Sequence, residues 1–243
     1  MPDLASYLLL STAVFAGAFV SGLAGFAFSA VAGAILLHVF QPSEAVPLMM
    51  ACSVGVQAST LLALRNTMQW RESVVLIIGG LLAVPIAAFV LQHADTPSLR
   101  RGFGVLVATY AAYSLFRPSL SYTRTMDRHG HNILIGFGGG LIGGLTAMPG
   151  ALPAIWCDMH GMPKAQQRGL VQPFIAVMQI AALGLMLSRH ELPSKILIDV
   201  AVSLPPLIVG TMLGIILFRR INEAMFRRTV LAMLLLSGLS LVI

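Results

Sequence analysis

Two apolar stretches of this chain, 7–40 and 133–159, are long enough to enter a bilayer, yet glycines interrupt both. Gly22, Gly25 and Gly33 break the first, which reads GLAGFAFSAVAG at 22–33, and the second reads GGLTAMPGALP at 143–153. Glycine and proline withdraw backbone groups from helical pairing. At bilayer depth that is tolerated only where protein or a water-filled cavity covers the backbone. Two broken stretches at matching places therefore constrain the fold more than any other feature: the chain must enclose something around them.

Composition establishes that the solvent is lipid. Of 243 residues, 57% are hydrophobic and only 10% charged, with a mean hydropathy of +0.88, whereas a soluble domain carries about 25% charged residues. So few charges cannot cover a soluble surface of this size, which excludes a soluble enzyme, a nucleic-acid-binding domain and a disordered chain. The net charge of +6 fits a basic surplus in cytoplasmic loops better than a nucleic-acid partner. Cys52 and Cys157 lie in apolar runs without a CxxC pair, so neither a disulfide framework nor a metal site is expected. Met1-Pro2-Asp3 provides no basic n-region, and the first apolar run is expected to be a retained helix.

Matching apolar runs to the roughly 20 residues needed for a crossing predicts spans at 43–64, 73–91, 99–117, 167–187, 195–217 and 226–243, besides the two broken stretches. A polar linker, 118–131, divides the chain into repeat 1 (1–117) and repeat 2 (132–243). Phe19, Gly22, Leu23 and Gly25 match Phe137, Gly140, Leu141 and Gly143 at a constant offset of 118, and Arg100-Arg101 and Arg227-Arg228 both head a last helix. Shared order and punctuation point to an internal duplication.

Charge decides how the repeats run. If each broken stretch crosses once, the basic residues divide 8 against 7. If each goes in and returns, Arg65, Arg71, Arg117, Arg124, Arg128, Lys164, Arg168, Arg219, Arg220, Arg227 and Arg228 share a side. Only Arg100, Arg101, Arg189 and Lys195 then oppose them, the bias expected of cytoplasmic loops. Ile133 to Gly143 would extend only about 16 Å as a helix, too little to cross. The expected fold is an all-α polytopic membrane protein of two inverted repeats, each a glycine-broken re-entrant hairpin followed by three transmembrane helices. Both termini are expected outside, with the linker in the cytoplasm.

Broken segments at equivalent places in two halves point to a transporter's binding site, because unpaired amides at a helix start attract an anion without a formal charge. The candidate substrate-binding residues are Gly22, Gly25, Ser29, Gly143, Thr146, Pro149 and Gly150 at the breaks. Gln57, Gln172 and Gln179 join them as mid-span amides, with Arg168 one turn before Gln172. Pro149 suits the first turn of a returning helix, and Ser29 and Thr146 align across the repeats within three residues. Arg168 either draws anions to the cytoplasmic mouth or anchors its helix at the interface. The nine carboxylates lie near segment ends or in loops, so no acidic residue marks a cation path. The six histidines lack metal-ligand spacing, and no metal or cofactor is expected. Tyr7, Trp70 and Trp156 read as interfacial belt residues. No Walker motif, nucleophile elbow or HExxH is present, so the chain is not expected to be an enzyme.

The sequence GGLTAMPGALPAIWCDMHGMPKAQQRG at 143–169 resembles the glycine-rich, Pro-Gly-Pro-Pro-type stretch of the TauE/SafE family of bacterial sulfite exporters. Pro149-Gly150 matches the first pair, Ala151 and Leu152 replace the second, and Arg168 stands for the helix-leading arginine. In the first half Ala27 and Phe28 occupy places where glycines are typical. The resemblance implies secondary transport of sulfite, a sulfonate or a related organic acid across the bacterial inner membrane, with proton coupling and homodimerisation open. The rival readings are a passive anion channel and a non-transporting membrane assembly factor.

Overall fold

The computed structural model describes residues 4–36, 40–93, 96–116, 129–146, 148–188 and 195–242. Among these the chain is entirely helical: α1 (Leu4–Ala24), α2 (Phe28–Leu36), α3 (Pro42–Ala63), α4 (Trp70–His93) and α5 (Thr96–Phe116) form the first half. The second half comprises α6 (His129–Thr146), α7 (Ala151–Met159), α8 (Lys164–Ser188), α9 (Ile196–Arg220) and α10 (Glu223–Val242). The expected linker, as far as Arg128, lies outside the described residues.

Local chemistry sets the boundaries. Proline opens α3, where a missing N–H costs nothing. The Asn222 side chain accepts the Met225 N–H at 2.8 Å and caps α10. Arg219 and Arg220 close α9, where cations favour the negative end of the helix dipole. Among the described residues five helices are long and apolar enough to cross a membrane: Ser6–Ala24, Glu44–Ala63, Trp70–Ala87, Lys164–Ser188 and Ile196–Arg220. Their outer faces carry exposed Leu8, Ile78, Phe89, Ile208 and Met212, a surface that only lipid accommodates. The protein is a polytopic helical membrane protein.

Each broken stretch is a hairpin. Gly17 of α1 faces Phe28 and Ala32 of α2, and a Cβ at Gly17 would lie 3.0 Å from that of Ala32. Had the helix continued straight, residues 17 and 32 would stand roughly 22 Å apart. In the second half Gly138 faces Leu152, and Gly139 faces Pro149 and Pro153. The arms are unequal, which corrects the expected half-depth segment at 133–143. α6 has 18 residues and α1 has 21, roughly 27 and 31 Å of helix, whereas the returning arms α2 and α7 have 9 each, about 13 Å.

The halves interlock. α1 packs along α9 and α6 along α4, while α3 meets α8, α5 meets α10, and α3 and α8 also touch α9 and α4. Exchanging α1–α5 for α6–α10 maps this pairing onto itself. Glycine makes the two long seams possible. A Cβ at Gly22 would come within 2.6 Å of the Thr211 carbonyl, and Gly214 abuts the Phe19 carbonyl. On the other seam Gly136 abuts the Leu76 carbonyl, and Gly140 lies against Gly80.

Cross-links also gather helix ends. Arg219 Nη2 donates to the Ala63 carbonyl at 2.9 Å, the Gln69 N–H to the Gly169 carbonyl at 3.0 Å, and Arg227 Nη2 to the Ser114 carbonyl at 3.0 Å. Lys164 Nζ donates to the carbonyls of Phe218 and Ile221. The contacts of Arg219, Gln69 and Arg227 bring together helix ends that a single crossing of each interrupted stretch would put on opposite faces.

Candidate functional site

The hairpin tips differ in construction. In the first, α1 stops at Ala24, and Gly25-Phe26-Ala27 make the reversal with φ of +94° at Gly25 and +71° at Ala27. Glycine takes the left-handed region without penalty, but an alanine there costs about 1–2 kcal/mol. Ala27 thus stands where the backbone asks for glycine. In the second tip a Pro149-Gly150 turn precedes Ala151, so Pro149 lies two residues before α7 rather than in its first turn as expected. Pro153 is instead the proline inside that turn.

Both tips face one hollow. Phe26 to Ser29 close one side, Met148 to Gly150 another, and Ser53, Gln57 and Gln179 project from α3 and α8. The first residues of α2 line it, and the turn that starts α7 lies opposite, so two helix starts bear on the same space. Gln57 is 1% exposed, and neither its Nε2 nor its Oε1 has a partner; Gln179 Oε1 is likewise unmatched. Gln179 stands 122 positions after Gln57, the interval that also separates Lys164 from Pro42 at the starts of α8 and α3. The two amides are equivalents in the two halves.

A second hollow lies beyond Phe26, lined by Ala24 and Gly25 of the first tip, by Ala154, and by Gln167, Arg168, Val171 and Gln172 of α8. Arg168 is 1% exposed, which disposes of the interfacial-anchor reading. Its Nη1 donates to the Gly22 carbonyl at 2.8 Å, and Gln172 Nε2 donates to the Gly25 carbonyl at 2.8 Å. The guanidinium carbon sits 4.3 Å above the centre of the Phe218 ring.

The structure sorts the candidates. Ser29, Gln57, Pro149, Gly150 and Gln179 line the first hollow, and Gly25, Arg168 and Gln172 the second. Gly22 belongs to the α1–α9 seam, and Gly143 packs against Pro149, where a Cβ at Gly143 would lie 2.6 Å from that of Pro149; both serve close packing. Thr146 ends α6, and its side chain lies outside the described residues. The expected alignment of Thr146 with Ser29 fails, because α6 runs to 146 whereas an offset of 118 from the end of α1 predicts 142. Phe26, Gln167 and Ser53 were not singled out. Ser53 precedes Gln57 by one turn on the same helix face, the spacing that could have found it.

Two further groups are accounted for elsewhere. Asp158 pairs with Arg227 (Nε to Oδ1, 2.6 Å) and accepts from the Tyr110 hydroxyl at 2.7 Å, tying α7 to α10 and α5. Trp156, expected in an interfacial belt, lies against His160 with ring centres 3.9 Å apart and planes tilted by 50°. Among the described residues no three metal-ligating side chains converge.

The sequence model of a family described as Sulfite exporter TauE/SafE matches residues 9–241, nearly the whole chain. No curated protein and no solved structure matches.

Proposed function

The chain belongs to the sulfite exporter TauE/SafE family, and from that premise we propose that this membrane anion transporter carries sulfite, a sulfonate or a related small organic acid as a secondary transporter. The substrate binds in the hollow between the hairpin tips. Ser29 and Thr146 offer hydroxyls, and Gln57 and Gln179 offer amide donors. The backbone at Pro149-Gly150 and the start of α2 presents the positive end of helix dipoles to the anion. Gly25, Arg168 and Gln172 lie on its approach.

One observation carries this reading: Gln57 is buried at the mouth of two helix starts with neither amide atom partnered. Leaving such a group unmatched costs free energy in an apolar interior, and an oxyanion accepting its N–H groups removes the donor's share of that cost. The gathered basic helix ends support inverted repeats with that end in the cytoplasm of the bacterial inner membrane. Access alternates as the tips move against α3 and α8, with proton coupling an open part of the reading.

Uptake of radiolabelled sulfite into proteoliposomes tests it. Saturable flux that falls at least about tenfold in Ser29→Ala combined with Thr146→Val, with the protein still monodisperse, is the expected result. Wild-type rates unchanged by both substitutions would remove the site, and flux linear in concentration would mark a passive channel.

A further inference from the structure

Arg168 is a buried cation held in an unusual way. Only Nη1 is bonded, to a carbonyl at the end of α1. Nε and Nη2 have no partner, although both are out of reach of solvent. These two nitrogens form one edge of the planar guanidinium, the fork that takes the two oxygens of an oxyanion in parallel hydrogen bonds. Among the described residues no carboxylate reaches that edge; the ion pair found there joins Arg227 to Asp158. A buried charge without a counter-charge is unstable in an apolar interior.

The space beside this edge is kept open. Gly25 stands next to Nε, and a Cβ there would lie 3.3 Å from Nε and 2.7 Å from Gln172 Nε2. Gln172 uses its Nε2 on the Gly25 carbonyl, which turns the amide toward the same pocket, and Gln167 lines it from the preceding turn. Phe26 borders both this hollow and the one between the tips. Its neighbours Gly25 and Ala27 are the two left-handed residues of the reversal.

The charged lining of this hollow is not repeated in α3. At the interval that relates Gln57 to Gln179, the residues of α3 matching Arg168 and Gln172 are Val46 and Met50. The charged pocket therefore breaks the symmetry of the central hollow. It lies toward the end where Gln69 bonds to Gly169 and the basic helix ends gather.

Resting on the transport reading above, we propose that Arg168, Gln172 and Gly25 form a second, separately occupied oxyanion station, divided from the central hollow by Phe26. An anion with several terminal oxygens, such as sulfite or a sulfonate, docks on the Nε–Nη2 edge at the basic end. It passes Phe26 into the neutral, symmetric hollow, where amides and helix starts replace the guanidinium. A strongly attractive first station loads the path, and a charge-free second station lets the anion leave.

Equilibrium binding of radiolabelled sulfite to the purified full chain in detergent decides the matter. The wild type is expected to bind roughly two sulfites per chain, and Arg168→Gln roughly one, the remaining site keeping its affinity within about threefold. Arg168→Lys keeps the charge but loses the fork, so one site should weaken about tenfold while the other is unchanged; this variant carries the test if Arg168→Gln does not fold. Gln57→Leu should abolish the other site and leave the Arg168 site intact. Stoichiometry unchanged in Arg168→Gln and Arg168→Lys, with Gln57→Leu still losing a site, overturns the second station and leaves the central one standing. A single wild-type site abolished by both Arg168→Gln and Gln57→Leu overturns the division into two. No wild-type binding at all overturns the central reading together with this one.

Discussion

The two halves share a scaffold and differ in chemistry. Each contributes a hairpin, a helix with a buried glutamine (Gln57 or Gln179), and a long helix that receives the other half's first arm. The first tip turns through two left-handed residues, the second through Pro149-Gly150. α8 carries the buried Arg168, where α3 has Val46. Duplication supplies the frame and the central hollow. The departures from symmetry supply direction, because a site identical from both sides cannot by itself distinguish them.

The largest expected effect would break the shared frame. Gly214→Leu and Gly140→Leu push a side chain into backbone on equivalent seams, and each should cost more than about 3 kcal/mol. Size-exclusion profiles in detergent should show loss of monodisperse protein for both; tolerance of one alone would mean that the seams are not equivalent. Next come the paired amides. Gln57→Leu and Gln179→Leu should each lower sulfite uptake at least about tenfold, more than about 1.4 kcal/mol, and a defect confined to one would show that the central hollow is used asymmetrically. The smallest effect sharpens the contrast between the tips. Ala27→Gly relieves a left-handed alanine and should raise thermal stability by about 1 kcal/mol. Gly25→Ala should lower it, since a methyl there meets Gln172. A melting temperature that moves the same way in both would contradict the strained reversal.

Much of this frame was legible in the sequence. The expected spans fall within a turn of α3, α4, α5, α8, α9 and α10, because charges and prolines stand at the ends of uniform apolar runs. Gln57, Gln172 and Gln179 were visible because an amide in an apolar run has few innocent explanations. Gly22 and Gly143 were not separable from Gly25 and Gly150, since a seam glycine and a tip glycine look alike until the neighbouring helix is known. Phe26 was invisible for the opposite reason: an aromatic in an apolar segment carries no sign of what it divides. α6 is longer than expected because Gly143-Gly144 reads as the start of a break, whereas packing of Gly143 on Pro149 and of Gly144 on Ala87 of α4 holds them in helix.

The interlocked seams bear on how the chain is made. Gly22 meets Gly214, so α1 leaves the ribosome roughly 190 residues before the helix it must clasp. At 5–20 residues per second that is about 10–40 s. During that interval the small-residue groove of α1 has only lipid or an insertion factor to cover it. Neither half can complete its own bundle, so biosynthesis closes from the outside in, the first helix waiting for nearly the last.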